Sequence, residues 1–163
     1  MAAYLYEKDR SALRRFSWSF FFTNLLCIFT FYLIPVAPPW YVMKYGTGPV
    51  QLDIPSSPAR LSAVDSLLGI PYFEAIYYCS SNIFAAIPSL QAAHPLLIWF
   101  MTRNQFPRSN GCFLAFAILM GFSSVYMCHH YVIDVLVGYI YATASFLLVS
   151  GICDLVEVKD IED

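Results

Sequence analysis

Four long apolar runs constrain the fold of this chain more than any other feature of its sequence. Residues 16–34, 111–128 and 131–152 approach or reach the roughly 20 residues that cross a bilayer, and a single aspartate is their only charge. The run over 85–102 is close to the lower limit. Only 12% of the residues are charged, about half the fraction of a soluble domain. We predict an all-α membrane protein, one domain over 1–163, folded as an antiparallel bundle of about four transmembrane helices.

The distribution of Lys and Arg orients these spans. The positive residues lie before the first run and between the second and third: Lys8, Arg10, Arg14, Arg15, Arg103 and Arg108. Because short loops rich in Lys and Arg stay in the cytosol, the N-terminus and the acidic tail over 153–163 are expected there. The loop over 36–86 and the turn at 128–130 are then expected at the opposite, lumenal face. The net charge of −2 gives no indication of a nucleic-acid partner.

The extramembrane loop is predicted to contain structure of its own. It begins with A-P-P-W-Y at 37–41, where paired prolines stiffen the chain and the aromatic side chains suit a membrane interface. Apolar residues at helical spacing between Leu61 and Leu68, followed by Gly69, predict a short amphipathic helix that lies along the interface.

The most informative polar group is C-H-H-Y-V-I-D at 128–134. His130 and Asp134 are four residues apart and therefore share one face of a helix. Ionisable residues inside a span usually face a cavity and pair with one another, and a carboxylate beside an imidazole raises the basicity of its other nitrogen. Three interpretations stay open: a catalytic pair, a structural pair that stiffens the bundle, or a metal site with too few ligands. His129 is either an interfacial histidine or a contact for a phosphate.

A second polar group, I-P-S-L-Q-A-A-H-P at 87–95, begins the second apolar run. Pro88 suits the first turn of a helix, and Ser89 is expected beside unsatisfied backbone N–H groups, which favour an anion such as phosphate. The alternative is an ordinary helix that starts at a proline. Pro95 should kink this helix, and His94 could satisfy a carbonyl that the kink frees. Topology brings this group to the same membrane face as the histidine pair.

These stretches, with the start of the loop, resemble the inositol phosphorylceramide synthase-like branch of the phosphatidic acid phosphatase type 2 and haloperoxidase superfamily. That branch carries A-P-P-W-Y, then F-G-A-x-P-S-L-H-A, then H-H-Y-x-x-D. The chain has A-P-P-W-Y at 37–41, F-A-A-I-P-S-L-Q-A at 84–92 and H-H-Y-V-I-D at 129–134. The similarity covers residues 15–138, which are expected to form the phosphatase-like region.

The resemblance implies a phosphate pocket at one membrane face. His130 would attack the phosphorus of a lipid phosphodiester, and Asp134 would orient its ring. The residues expected around the phosphate are Pro88, Ser89 and His129. In this branch, phosphoinositol passes from phosphatidylinositol to ceramide at the lumenal face of the Golgi or endoplasmic reticulum. No metal or organic cofactor is implied.

The superfamily fold has six spans, so the resemblance also implies a shortened bundle. Either a membrane subunit or a second copy in a homodimer supplies the missing helices, or the chain is a remnant of the six-span fold.

Position 91 departs from the motif of the branch. The motif histidine, which is expected to protonate the leaving alkoxide, is replaced by Gln91, and an amide cannot release a proton at a useful pH. His94, one helical turn further on, could take over this role. A second departure is Ser124, which stands where the phosphatases have an arginine and therefore favours the synthase branch.

The sequence leaves three functions open. The first is a membrane phosphotransferase of the inositol phosphorylceramide synthase type. The second is a catalytically impaired relative or a lipid-binding subunit that keeps the pocket without its acid. The third is a lipid phosphate phosphatase, against which the absence of the arginine counts.

Overall fold

A computed structural model describes residues 6–51, 53–79 and 82–162 of the chain. Within these ranges the chain is mostly helical, and its β-structure is limited to a bridge between Val36 and Ala85. The main helices are α1 (Arg10–Leu33), α2 (Pro39–Tyr45), α3 (Ser62–Leu68), α4 (Tyr72–Tyr78), α5 (Leu90–Thr102), α6 (Asn110–Tyr126) and α7 (Val132–Glu162). Asp163, which ends the predicted acidic tail, lies outside the described residues.

Three helical segments of the described chain are long and apolar enough to cross a membrane: Arg10–Leu33, Pro107–Tyr126 and Val132–Val156. They correspond to the first, third and fourth predicted spans. The second predicted span is shorter than expected, because α5 begins at Leu90 and has 13 residues. These rise only about 20 Å, against about 30 Å for the hydrocarbon core. The prediction of an all-α membrane bundle is confirmed, with α5 as a helix of less than membrane length.

The residues before α5 are held outside the helix by the loop. The Val36 N–H donates to the Phe84 carbonyl at 2.8 Å, and the Val36 carbonyl accepts from the Ala86 N–H at 3.2 Å. Ser89 then caps α5, since its hydroxyl oxygen accepts from the Ala92 N–H at 3.4 Å. The residue just before the A-P-P-W-Y segment therefore holds residues 84–86 in extended pairing, ahead of the start of α5.

α5 is the central helix of the bundle. It packs against α1, α6 and α7, and Ala93 and Leu97 form a core cluster with Ala142 of α7. The membrane-length helices, in contrast, expose many of their large apolar side chains. Large apolar side chains can stay on the outside of a helix in a bilayer, because lipid tails are as apolar as leucine.

α1 packs through small and polar side chains rather than through its bulky ones. Its buried residues are Ser19, Thr23, Cys27 and Thr30. The Thr23 hydroxyl donates to the Ser19 carbonyl at 2.8 Å, and the hydroxyls of Thr30 and Tyr141 are 2.9 Å apart, which joins α1 to α7. Small residues let membrane helices approach closely, and buried Ser and Thr hydroxyls can donate a hydrogen bond to a backbone carbonyl of their own helix.

The predicted amphipathic helix of the loop is present as α3. It ends at Leu68, and the next residue, Gly69, has a φ of +67°, the left-handed conformation that favours glycine at a helix end. The next helix, α4, is not among the predicted elements. The Asp65 carboxylate of α3 accepts from the N–H groups of Phe73 and Glu74, both at 2.9 Å, and so caps α4. The α3–α4 unit places Tyr77 beside the turn between α6 and α7.

Candidate active site

The three motif segments meet at one end of the bundle. The Trp40 N–H donates to the Cys128 carbonyl at 3.0 Å, and the Ser89 N–H donates to the Asp134 carbonyl at 2.9 Å. Gly138 allows this approach of α5 to α7, because a Cβ at that position would collide with the Ser89 carbonyl. Two polar groups that are far apart in the sequence are therefore hydrogen-bonded neighbours.

A cavity of about 270 Å³ lies at this junction. Its lining includes Trp40, Tyr77, Leu90, Gln91, His129 and His130. Among the described residues, no Lys or Arg side chain lines it. Ser89 accepts the N–H groups of Ala92 and Ala93 at the start of α5. The N–H groups of Leu90 and Gln91 have no acceptor within the helix and lie at its positive end, which suits an anion. Within the same described residues, no cluster of His, Cys, Asp and Glu could hold a metal ion.

Pro88 and Ser89 occupy different positions at this helix start. Pro88 lines the cavity. Ser89 is fully buried, and both its hydroxyl and its carbonyl oxygen accept N–H groups of the first turn of α5. Ser89 therefore fixes the start of α5, the end of the helix that suits an anion, without lining the cavity itself.

A backbone carbonyl orients His130. The Nδ1 atom lies 2.7 Å from the Ala86 carbonyl oxygen and 3.8 Å from the nearer carboxylate oxygen of Asp134. Because a carbonyl can only accept, Nδ1 carries a proton, and the neutral ring has its lone pair on Nε2. His130 also lines the cavity, and a neutral imidazole nitrogen can act as a nucleophile or a base.

Asp134 is fully buried at the start of α7. One carboxylate oxygen accepts from the Tyr131 N–H at 2.7 Å, the bond by which an acidic residue in the first turn caps a helix. The other oxygen has no hydrogen-bond partner within the described part of the chain. Toward His130 the carboxylate acts as a nearby negative charge, because 3.8 Å is too long for a hydrogen bond.

His129 is buried and stacks on Tyr77, with ring centroids 4.7 Å apart and planes 12° apart. Burial, helped by the adjacent His130, lowers the pKa of the His129 imidazole to about 4, while a hydrogen bond with the Pro58 backbone acts in the opposite direction. At neutral pH the ring is therefore uncharged. It can donate or accept a hydrogen bond in the cavity but adds no positive charge to it.

Acidification should destabilise the protein through His129. Its folded pKa of about 4 lies below the value of about 6.5 in an unfolded chain, so the unfolded state takes up the proton first. Stability is then lost as the pH falls from about 6.5 toward 4, by up to about 1.4 kcal/mol per unit. His129→Phe keeps the stacking on Tyr77 and cannot titrate, so its thermal unfolding in detergent should depend less on pH. Equal acid sensitivity of both proteins would contradict this assignment.

Gln91 and His94 lie on different sides of α5. Gln91 lines the cavity together with Tyr77, and its side chain lowers the pKa of the Tyr77 phenol, whereas burial raises it. His94 stacks on Phe20 of α1, with ring centroids 4.7 Å apart, and is absent from the cavity lining. The structure thus brings Gln91, but not His94, to the meeting point of the motifs.

Two parts of the site carry no signal that sequence reasoning uses. Tyr77 belongs to a loop helix without a recognised motif, and it reaches the cavity only because α3 and α4 fold against the turn. Ala86 acts through its carbonyl, which any residue would supply. Its one clue is its place in the F-A-A-I-P-S-L-Q-A segment, two residues before Pro88.

A sequence model of the PAP2 superfamily matches residues 1–148. The chain belongs to the PAP2 superfamily. Curated relatives agree with the branch that the motifs indicate. A phosphoinositol dihydroceramide synthase of Bacteroides thetaiotaomicron is 37% identical over 135 residues, which cover 82% of this chain and 44% of the relative.

Two fungal proteins are also similar. An inositol phosphorylceramide synthase of Candida albicans is 33% identical over 78% of this chain and 27% of its own length. The catalytic subunit of inositol phosphorylceramide synthase from Saccharomyces cerevisiae is 31% identical over 77% of this chain and 31% of its own length. The chain thus spans less than half the length of these relatives. No solved structure matches it significantly. The predicted inositol phosphorylceramide synthase-like branch is confirmed.

Proposed function

We propose that this chain is an integral membrane phosphotransferase that moves phosphoinositol from phosphatidylinositol to ceramide through a phospho-histidine. The observation that carries the proposal is that His130 lines the cavity while its Nδ1 bonds the Ala86 carbonyl at 2.7 Å, which leaves Nε2 as the ring nitrogen able to act as a nucleophile. The names of the relatives, an inositol phosphorylceramide synthase and a phosphoinositol dihydroceramide synthase, supply the substrate classes.

The geometry supports a reaction in two steps. In the first, Nε2 of His130 forms a bond to phosphorus while the bond to the diacylglycerol oxygen breaks. We place the phosphate oxygens at the N–H groups of Leu90 and Gln91, the first-turn donors of α5 that Ser89 does not bond, which can stabilise developing negative charge. The phospho-histidine keeps its Nδ1 proton and is cationic on the ring, so the Asp134 carboxylate at 3.8 Å stabilises it. In the second step a ceramide hydroxyl takes the phosphoinositol group and releases His130.

The orientation in the membrane follows from the positive residues. We place the N-terminus and the loop with Arg103 and Arg108 in the cytosol, because short loops rich in Lys and Arg stay there. The cavity then opens at the lumenal face, in the Golgi or the endoplasmic reticulum.

The transfer reaction tests the proposal. The full chain, purified in mild detergent and shown to be folded by its thermal transition, is incubated with inositol-labelled phosphatidylinositol and ceramide. We expect labelled phosphoinositol-ceramide, and an acid-labile phosphoenzyme when a phosphate-labelled donor is given without ceramide. A folded protein that yields neither product contradicts the proposal, and free inositol phosphate as the main product would favour a hydrolase.

Asp134→Asn should lower the transfer rate by about 10²-fold, less than the ~10⁴-fold typical where a carboxylate itself fixes the tautomer of a catalytic histidine. The Ala86 carbonyl still holds Nδ1–H in this variant, and the amide oxygen of asparagine still caps α7. Asp134→Ala loses the charge and the cap, so it should also unfold more easily, by about 1 kcal/mol. The two variants are compared by initial rates and by thermal unfolding. Equal stability of both would show that the bond to Tyr131 does not matter.

A second candidate is a lipid-binding relative without catalytic activity. Gln91 favours it, because this side chain lines the cavity at the motif position where the branch has a histidine. Gln91→His discriminates between the two. Transfer that appears only in this variant indicates a binding protein, whereas transfer by the unmodified chain excludes that reading.

A further inference from the structure

The proposed reaction leaves one proton without a source. Expelling diacylglycerol as an alkoxide is unfavourable, and a general acid that protonates its oxygen contributes about 10²–10⁴-fold in rate. Gln91 holds the motif position of that acid and cannot donate a proton to the leaving oxygen as an acid does. Any replacement must line the same cavity. Within the described chain, the titratable side chains that line it are Tyr77, His129 and His130.

Two of these three groups are unsuited to the role. His130 is committed as the nucleophile, with Nδ1–H bonded to the Ala86 carbonyl. His129 is uncharged at neutral pH, since its pKa is lowered to about 4, and a neutral imidazole is a far weaker acid than a phenol of pKa about 10. The phenol of Tyr77 is therefore the strongest neutral acid in the lining.

Tyr77 is also held in the way such a role requires. Its ring is fixed by stacking on the buried His129, at 4.7 Å and 12°. Gln91 is its neighbour in the lining, since both residues line this cavity and also a second one with His129. Burial raises the pKa of the Tyr77 phenol, and the Gln91 side chain acts in the opposite direction. The cavity that both residues line is where the Tyr77 hydroxyl can meet a substrate oxygen.

We infer that Tyr77 is the general acid of this site and that Gln91, which stands at the motif position of the histidine, is its positioning residue. The inference rests on the proposed phosphotransferase function. Substitution at position 91 has then changed the identity of the acid rather than removed it, and the chain is a competent enzyme.

The proton balance closes over the two steps. As Nε2 of His130 bonds to phosphorus and the bond to the diacylglycerol oxygen breaks, the Tyr77 O–H passes its proton to that oxygen. Neutral diacylglycerol leaves, and a tyrosinate remains, stabilised by the N–H of Gln91. In the second step the tyrosinate takes the proton of the acceptor hydroxyl, whose oxygen bonds to phosphorus as the bond to Nε2 breaks. Both side chains return to their starting states.

A leaving-group comparison tests the role of Tyr77. Tyr77→Phe should lower phosphoinositol transfer from phosphatidylinositol by about 10²–10⁴-fold. With a phosphoinositol ester of 4-nitrophenol, whose leaving group needs no proton at pH 7, the first-turnover burst of nitrophenolate, measured without ceramide, should stay within about threefold of the unmodified protein. The matched control is Tyr78→Phe, because Tyr78 is the next residue on α4 and is 73% exposed. It should leave both reactions unchanged.

The outcomes separate this inference from the proposed function. If the unmodified protein is folded but inactive on both donors, the proposed phosphotransferase function is contradicted. An active protein whose Tyr77→Phe variant is unimpaired, or is impaired equally on both donors, overturns the acid role alone. The double variant Tyr77→Phe with Gln91→His places an imidazole at the motif position and should regain at least tenfold of the lost transfer. A folded double variant no better than Tyr77→Phe would also contradict the inference.

Discussion

Replacing His130 with asparagine should abolish phosphoinositol transfer, with a fall in kcat of about 10⁴–10⁶-fold, as expected when a covalent nucleophile is removed. Asparagine is the sharpest variant, because its side-chain N–H can take the place of Nδ1–H toward the Ala86 carbonyl at 2.7 Å. It lacks only the atom that would bond to phosphorus. The thermal unfolding of the variant should therefore stay close to that of the unmodified protein, while the acid-labile phosphoenzyme disappears.

His94→Asn is the matched comparison for this experiment. His94 packs on Phe20 of α1 and does not line the cavity, so the rate of transfer should be largely retained. The comparison also tests the sequence-based alternative in which His94 replaces the motif histidine. A folded His94→Asn protein with a loss as large as that of His130→Asn would contradict the assignment made from the geometry.

The global arrangement was predictable because the membrane simplifies the problem. Charge-free runs of about 20 residues have few alternatives to a transmembrane helix. The alternation of spans then brings residues 84–92 and 128–134 to one face, and the bond from the Ser89 N–H to the Asp134 carbonyl realises this meeting. The length of the apolar run alone overestimated the length of α5, because the backbone of Val36 bonds the residues before α5 and holds them outside the helix.

The fine structure of the site was beyond sequence reasoning for physical reasons. Gln91 and His94 are one turn apart, and only the packing of α5 against α1 decides which of them meets the cavity. The spacing of His130 and Asp134 places them on one face, but a backbone carbonyl competes for Nδ1 and lies closer. A carbonyl leaves no trace in a residue pattern, and Tyr77 reaches the site through loop packing that no local pattern encodes.

Gly138→Ala should disrupt the site and the bundle together. The new Cβ would collide with the backbone of Ser89, and a backbone cannot turn aside as a side chain can. We expect a loss of stability at or above the upper end of the about 1–3 kcal/mol of an overpacked core. We also expect a fall in transfer of about 10²-fold, because the start of α5 is displaced from His130.

Two other glycines provide graded controls for this variant. A Cβ at Gly151, on the same helix, meets nothing within 4 Å, so Gly151→Ala should gain up to about 1 kcal/mol from its better helix propensity. A Cβ at Gly121 would meet the hydroxyl of Tyr139, a side chain that can move at the cost of its bond to the Ala117 carbonyl. Thermal unfolding in detergent should therefore rank the alanine variants in the order 151, 121, 138, from most to least stable. If Gly138→Ala unfolded as Gly151→Ala does, α5 would not dock on α7 through Ser89, and the shared cavity would lose its structural basis.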